Sequence, residues 1–183
     1  EPRAAPGEHF RWPPFGFGLA AYLMFGIGYI GYMTFVITLL REQGLSDGRV
    51  VAFYVLLGVG VMASSWLWAG LLQRCRGGGA LALLNGLLAL ATVLPVWSTH
   101  PIAVFTSGAL FGAVFLSVVA STTAMVRHNL APAAWPGGIA AFTIVFAAGQ
   151  IVGPSLVGWV ADGPGGLARG FAGSAAVLAL GAL

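Results

Sequence analysis

The sequence predicts an all-α integral membrane protein, a single bundle of six transmembrane helices. Three observations carry that prediction. Hydrophobic residues fill 58% of the chain and charged residues only 7%, with a mean hydropathy of +0.92. A soluble domain carries about 25% charged residues, so this chain lacks the surface chemistry to stay dissolved. The apolar residues fall into six runs, and every charge lies between or outside them. Crossing about 30 Å of hydrocarbon takes about 20 apolar residues as helix, and a helix bonds its own backbone where lipid cannot.

The elements follow in order. Residues 1–14 are charged and broken by prolines, with neither an initiator Met nor a hydrophobic signal core, and are read as the tail of a cytoplasmic loop. The bundle is expected over 15–183. Its first helix spans 15–40, closed by Arg41 and Glu42, and its second spans 50–72, between Arg49 and Arg74. The third covers 79–97 and the fourth 102–126, ended by Arg127; Pro132 and Pro136 break the connection that follows. The fifth covers 137–161, up to Asp162, and the sixth 170–183. That last run is too short to cross at about 1.5 Å per residue and stops without a flanking charge, so it is read as truncated. The other connections are short, which makes sequential helices antiparallel neighbours.

Charge gives an orientation. If the first helix starts in the cytoplasm, that side holds Arg3, Arg11, Arg74, Arg76 and Arg127, and the opposite side holds Arg41, Arg49 and Arg169, mixed with Glu42, Asp47 and Asp162. The excess of arginine then lies inside, and both ends of the segment are cytoplasmic. Because the arginines sit at helix ends, topology accounts for the basic balance and a nucleic-acid partner is not expected. The use of Ala, Gly and Arg without any Lys points to a bacterial inner membrane. Cys75 stands alone, and His9, His100 and His128 lie on separate connections, so neither a disulfide nor a metal site is expected, and no cofactor.

The stretch "GQIVGPSLVGWVAD", Gly149 to Asp162, sets a proline and three glycines in apolar sequence. Inside a soluble helix a proline costs about 3 kcal/mol; in a bilayer, neighbouring helices can satisfy the carbonyl it frees. Gly149 and Gly153, four apart, share a face on which another helix can approach closely, and Gly158 continues that strip approximately. The segment reads as a tightly packed helix or a moving hinge at Pro154, with Gln150 as its polar side chain beside the bend.

These residues, in the fifth helix of a six-helix block, resemble the eleventh helix of the major facilitator superfamily. The connection "WAGLLQRCRGG", Trp68 to Gly78, is similar to a degraded copy of that superfamily's cytoplasmic signature. Arg74 falls on its first arginine, with Arg76 beside it, while Ala69, Gln73, Gly77 and Gly78 replace the expected glycine, aspartate and later arginines. The first helix, with Tyr29, Thr34 and Phe35, resembles the seventh helix of the YbfB-like bacterial branch. The resemblance implies the C-terminal half of a twelve-helix fold whose partner is the N-terminal six-helix half of the same polypeptide. It implies a secondary transporter that moves a small solute by rocking the two halves about a midplane site. The first, second, fourth and fifth helices would face the cavity, and the third and sixth lipid.

Polar side chains in hydrocarbon belong on interior faces, so they supply the pathway candidates. Tyr22, Phe25, Tyr29 and Tyr32 recur at helical steps as one aromatic stripe, either packing or a binding wall. Thr143, Ala147, Gln150 and Pro154 share a face of the fifth helix; Gln150 either meets solute or bonds the backbone that Pro154 frees. Ser117 and Ser121 pair on the fourth helix, as solute contacts or bonded to their own backbone. Asn85 reads as helix-helix glue, and Trp66 and Trp68 as interface anchors. No Asp, Glu, His, Lys or Arg sits in the middle of a helix, so a proton-coupling group is expected elsewhere. Such a wall suits a neutral, aromatic or sugar-like solute better than an ion.

Two other readings compete. "TSGALFGAVF", Thr106 to Phe115, resembles the serine segment of rhomboid proteases. Yet "GFAGSAAVLALGAL" lacks the histidine base a serine nucleophile needs, and Gly108 with Gly112 reads as a close-packing pair, so no enzyme is expected. The remaining alternative is a self-contained six-helix module acting as a homodimer.

Overall fold

The computed structural model describes residues 10–183. Most of the expected loop tail, with Arg3 and His9, lies outside the described residues. Six α-helices follow: α1 (Gly16–Glu42), α2 (Asp47–Arg74), α3 (Gly79–Trp97), α4 (Pro101–Asn129), α5 (Trp135–Ala161) and α6 (Gly166–Leu180), with short 3-10 turns at Pro13–Phe15 and Pro132–Ala134. The all-α membrane bundle is as expected, and five helices are long and apolar enough to cross a bilayer; Gly166–Leu180 is shorter.

The helices run past the apolar runs into the charges that flank them. Asp47 lies in the first turn of α2, and Arg41, Arg74 and Arg127 lie in the last turns of α1, α2 and α4. Acidic groups suit helix N-termini and basic groups C-termini, so such charges extend the ends of a helix that they were expected to bound. Between α1 and α2 the chain turns at Gly44, whose φ of +82° favours glycine. Pro101 opens α4, where the Ile102 N–H donates to His100 Nδ1 at 3.3 Å.

Helix α1 packs mainly on α5 and α6, while α4 packs on α2 and α3, and α3 also meets α6. Glycine makes both main seams close. A methyl group on Gly26 of α1 would lie 2.8 Å from the Phe146 carbonyl oxygen and 3.3 Å from Gly149 Cα. One on Gly153 would lie 2.7 Å from the Ile27 carbonyl, so the two backbones touch over more than a turn. Gly158 has open space around it and takes no part in this seam. It follows Gly153 by five residues, which turns it roughly 140° away at about 100° per residue; Val157 occupies the face instead and meets Gly31 and Gly170. On the other seam, Gly112 lies against the Leu57 carbonyl, Gly108 against the Phe53 ring, and Gly60 against the Ala109 and Ala113 backbone.

Polar side chains fasten the bundle where backbone groups would otherwise be orphaned. Pro95 lies inside α3 and brings no N–H for the carbonyl of Ala91. Ser107 Oγ of α4 donates to that carbonyl at 2.6 Å. The hydroxyl hydrogen is thereby used, so Tyr32, 2.7 Å away, donates to Ser107. Ser107 and Tyr32 are fully buried. Asn85 Nδ2 donates to the carbonyls of Gly181 at 2.9 Å and Ala21 at 3.2 Å, tying α3 to α1 and to the end of α6. Trp68 Nε1 donates to the Ala113 carbonyl at 2.7 Å across the α2–α4 seam, so its indole N–H serves helix packing. Trp66 is 87% exposed.

Candidate solute-facing site

The seam of α1, α4 and α5 concentrates the aromatic residues. On α1, Tyr22, Phe25 and Tyr29 stack in sequence, with ring centroids 5.4 and 4.8 Å apart. Phe146 of α5 stacks on all three, and Phe115 of α4 stacks on Tyr29 at 5.3 Å. Steps of three and four residues put the α1 rings on one face, and the Gly26–Gly149 contact brings α5 close enough for its rings to join them. Stacked pairs contribute about 0.5–1.5 kcal/mol each beyond area burial, so the rings help hold α1, α4 and α5 together.

At one edge of this belt Gln150 Nε2 donates to the Tyr29 hydroxyl. Gln150 is half-buried, and its side chain crosses to α1 instead of turning back to its own helix. The pairing leaves the phenolic hydrogen of Tyr29 and the Oε1 of Gln150 without a side-chain partner among the described residues. Donor and acceptor thus stand side by side against an aromatic wall.

Toward the end of the bundle that holds the α1 N-terminus, Tyr22, Thr122, Thr123 and Thr143 surround a pocket of 120 Å³, closed by Val119, Ile139 and Phe142. Thr122 and Thr123 were not singled out in the sequence, where they resemble any pair of small polar residues near a helix end. A spacing of seven residues links Tyr22 to Tyr29 and Thr143 to Gln150, so both polar places lie on one seam.

The other expected site residues lie elsewhere. Tyr32 turns away from the belt to stack on Phe111 at 4.0 Å and serve Ser107. Ser117 Oγ donates to the Ser64 carbonyl of α2 at 3.2 Å, and Ser121 Oγ to the Val118 carbonyl of its own helix at 2.7 Å; both are buried in the bundle. Pro154 is half-buried beside the Gly149–Gly153 contact. Arg74 and Arg76 are exposed on the α2–α3 connection. That connection is held through its backbone: Asn129 Nδ2 donates to the Arg76 carbonyl at 2.6 Å, and His128 Nδ1 donates to the Cys75 carbonyl at 3.2 Å. Neither residue was expected there, because nothing in their spacing marks a partner on another connection. Among the described residues the ion pair is Arg41 with Asp47, exposed and 3.0 Å apart on the α1–α2 turn.

Residues 3–183 match the family described as "Uncharacterised MFS-type transporter YbfB". The chain belongs to that family. Searches of curated proteins and of solved structures each return no match. The YbfB-type family is one of transporters and not of enzymes, so the protein is an integral membrane transporter. Its buried Ser107 is accounted for by the α3 carbonyl it serves; among the described residues its hydrogen-bond partners are that carbonyl and the Tyr32 hydroxyl.

Proposed function

We propose that this YbfB-type chain is the C-terminal half of a twelve-helix secondary transporter, moving a small neutral solute by rocking against an N-terminal six-helix half of the same polypeptide. The carrying observation is the Tyr29–Gln150 pair, a free donor and a free acceptor at the rim of the aromatic belt. The aromatic faces suit apolar or ring-bearing parts of a solute, and the pair orients one polar group. No charged side chain lies at depth to compensate an ion.

The outer faces of α2 and α5 support a partner bundle. In their most apolar stretches only 22% of residues are buried, against 44–50% for α1, α3 and α4. Val51, Val55, Val59, Met62 and Trp66 line one exposed stripe of α2, and Ile144, Ile151 and Trp159 stand exposed on α5. The cytoplasmic placement of both ends rests on the arginine distribution, and a bacterial inner-membrane location on the use of Ala, Gly and Arg without Lys.

Two measurements test the proposal. Replacing Gln150 by Ala is expected to lower transport while protein still reaches the membrane; unchanged kinetics remove the contact role. The intact mass of the native product is expected to be about twice 18.8 kDa. A mass near that of the chain itself would replace the second half with a second copy.

A further inference from the structure

The pocket bounded by Tyr22, Thr122, Thr123 and Thr143 has a definite hydrogen-bonding character. Thr122 Oγ1 donates to the Val119 carbonyl and Thr143 Oγ1 to the Ile139 carbonyl, both at 2.9 Å. Each hydroxyl has spent its one hydrogen, so both oxygens offer only lone pairs. Thr123 adds a hydroxyl that can rotate to donate or accept, and the Tyr22 hydroxyl lies within hydrogen-bonding reach of Thr122. The remaining walls, Val119, Ile139 and Phe142, are apolar.

Size and charge narrow the occupant. At 120 Å³ the pocket holds a volume of about four waters at about 30 Å³ each, the size of one functional group or a very small polyol. No charged residue lines it, so an ammonium or carboxylate would be desolvated without compensation. A neutral group that donates hydrogen bonds meets the acceptor oxygens without that cost. The pocket lies about 10 Å along the helices from the Tyr29–Gln150 pair, at about 1.5 Å per residue, and Phe146 stacks on Tyr22 at 5.2 Å and on Tyr29 at 5.5 Å between them.

We infer that this pocket is a second station on the solute path, binding a neutral hydroxyl-bearing group that donates hydrogen bonds to Thr122 and Thr143. The inference rests on the transporter reading proposed above. A solute at one station reaches the other by passing the Phe25–Phe146 stack, so these rings separate the two places.

The test uses the native full-length protein purified in detergent, with Cys75→Ser and every other native cysteine of the full polypeptide replaced by Ser, and Thr123→Cys as reporter. Modification by a methanethiosulfonate reagent is timed alone, then with glycerol, mannitol or glucose, then with ethylammonium chloride or sodium acetate. At least one of the neutral polyols is expected to slow labelling about threefold or more as it occupies the pocket, and neither ion to do so. Equal rates with all five probes, protection by an ion alone, or a cysteine that never reacts overturns the inference. Ile139→Cys, which removes no hydroxyl, repeats the measurement if Thr123→Cys does not reach the membrane. Gln150→Ala separates this inference from the reading beneath it. Lost transport without polyol protection removes the second station alone; polyol protection with transport unaffected by Gln150→Ala keeps this pocket and removes the central contact.

Discussion

The hydroxyl of Ser107 on α4 stands 2.6 Å from the carbonyl of Ala91 on α3 and gives it the hydrogen bond that Pro95, four residues on, cannot. Tyr32 completes the chain by donating to Ser107, so three helices meet at one buried relay. Ser107→Ala leaves the Ala91 carbonyl without a partner and is expected to cost about 1–3 kcal/mol. The cost should shrink when Pro95 is also replaced by Ala, because residue 95 then offers its own N–H. A double-mutant cycle on thermal unfolding in detergent is expected to give a coupling of about 1 kcal/mol. Additive losses would mean that Ser107 does not stand in for the missing N–H.

The seam between α1 and α5 predicts a contrast between two glycines of one helix. A methyl on Gly149 would come within 3.0 Å of Gly26 Cα and 2.9 Å of the Leu23 carbonyl, both backbone atoms that cannot step aside. Gly149→Leu is expected to destabilise the bundle by about 1–3 kcal/mol or more and to abolish transport. Gly158 meets nothing within 4 Å, so Gly158→Ala should be neutral or stabilise by up to about 1 kcal/mol through helix propensity. Thermal unfolding of the two variants decides it, and equal behaviour would contradict the close contact at Gly149.

Composition and the spacing of apolar runs made the six helices legible, since lipid leaves few other ways to satisfy a backbone. The helix ends were less so: Arg74 was expected to bound α2 and instead lies in its last turn, because a charge of the right sign is welcome there. In the site, Gln150 was visible as a polar side chain in apolar sequence, but its partner was not. Whether it turned back to the carbonyl freed by Pro154 or across to Tyr29 depends on the rotation of α5 against α1, which the glycine contacts fix. The partners of Ser107 and Trp68 were hidden for the same reason, each serving a carbonyl on a helix that sequence spacing does not bring near.

The α2–α3 connection carries Arg74 where the superfamily signature has its first arginine, yet its fastening is neutral. Asn129 donates to the Arg76 carbonyl at 2.6 Å and to the Met125 carbonyl at 2.8 Å, and the Arg74 and Arg76 side chains are exposed. Asn129→Ala is expected to free the connection and raise the rate of tryptic cleavage after Arg74 and Arg76 severalfold, with stability lowered by about 0.5–1.5 kcal/mol. Arg127→Ala should leave both rates unchanged, because its guanidinium lies 5.3 Å over the Trp135 ring, away from the connection. Cleavage that ignores Asn129 would show that this bond does not hold the loop.

Tyr29 and Gln150 act as a unit if one polar group of the solute bridges them, and their substitutions should then couple. Tyr29→Phe keeps the ring in its stack with Phe25, Phe115 and Phe146 but removes the hydroxyl that accepts from Gln150. Gln150→Leu keeps the bulk and removes the amide. Each is expected to weaken apparent solute affinity about tenfold, the loss of roughly one hydrogen bond to a neutral group. The double variant should lose little more than either single one, since the second change removes a contact already broken. Transport measured across a concentration series separates affinity from maximal rate: a raised half-saturation constant with the maximal rate kept marks a binding role. A maximal rate that falls while half-saturation holds would assign the pair to the movement of α5 against α1 instead. Full multiplicative losses in the double variant would mean that the two side chains serve different partners.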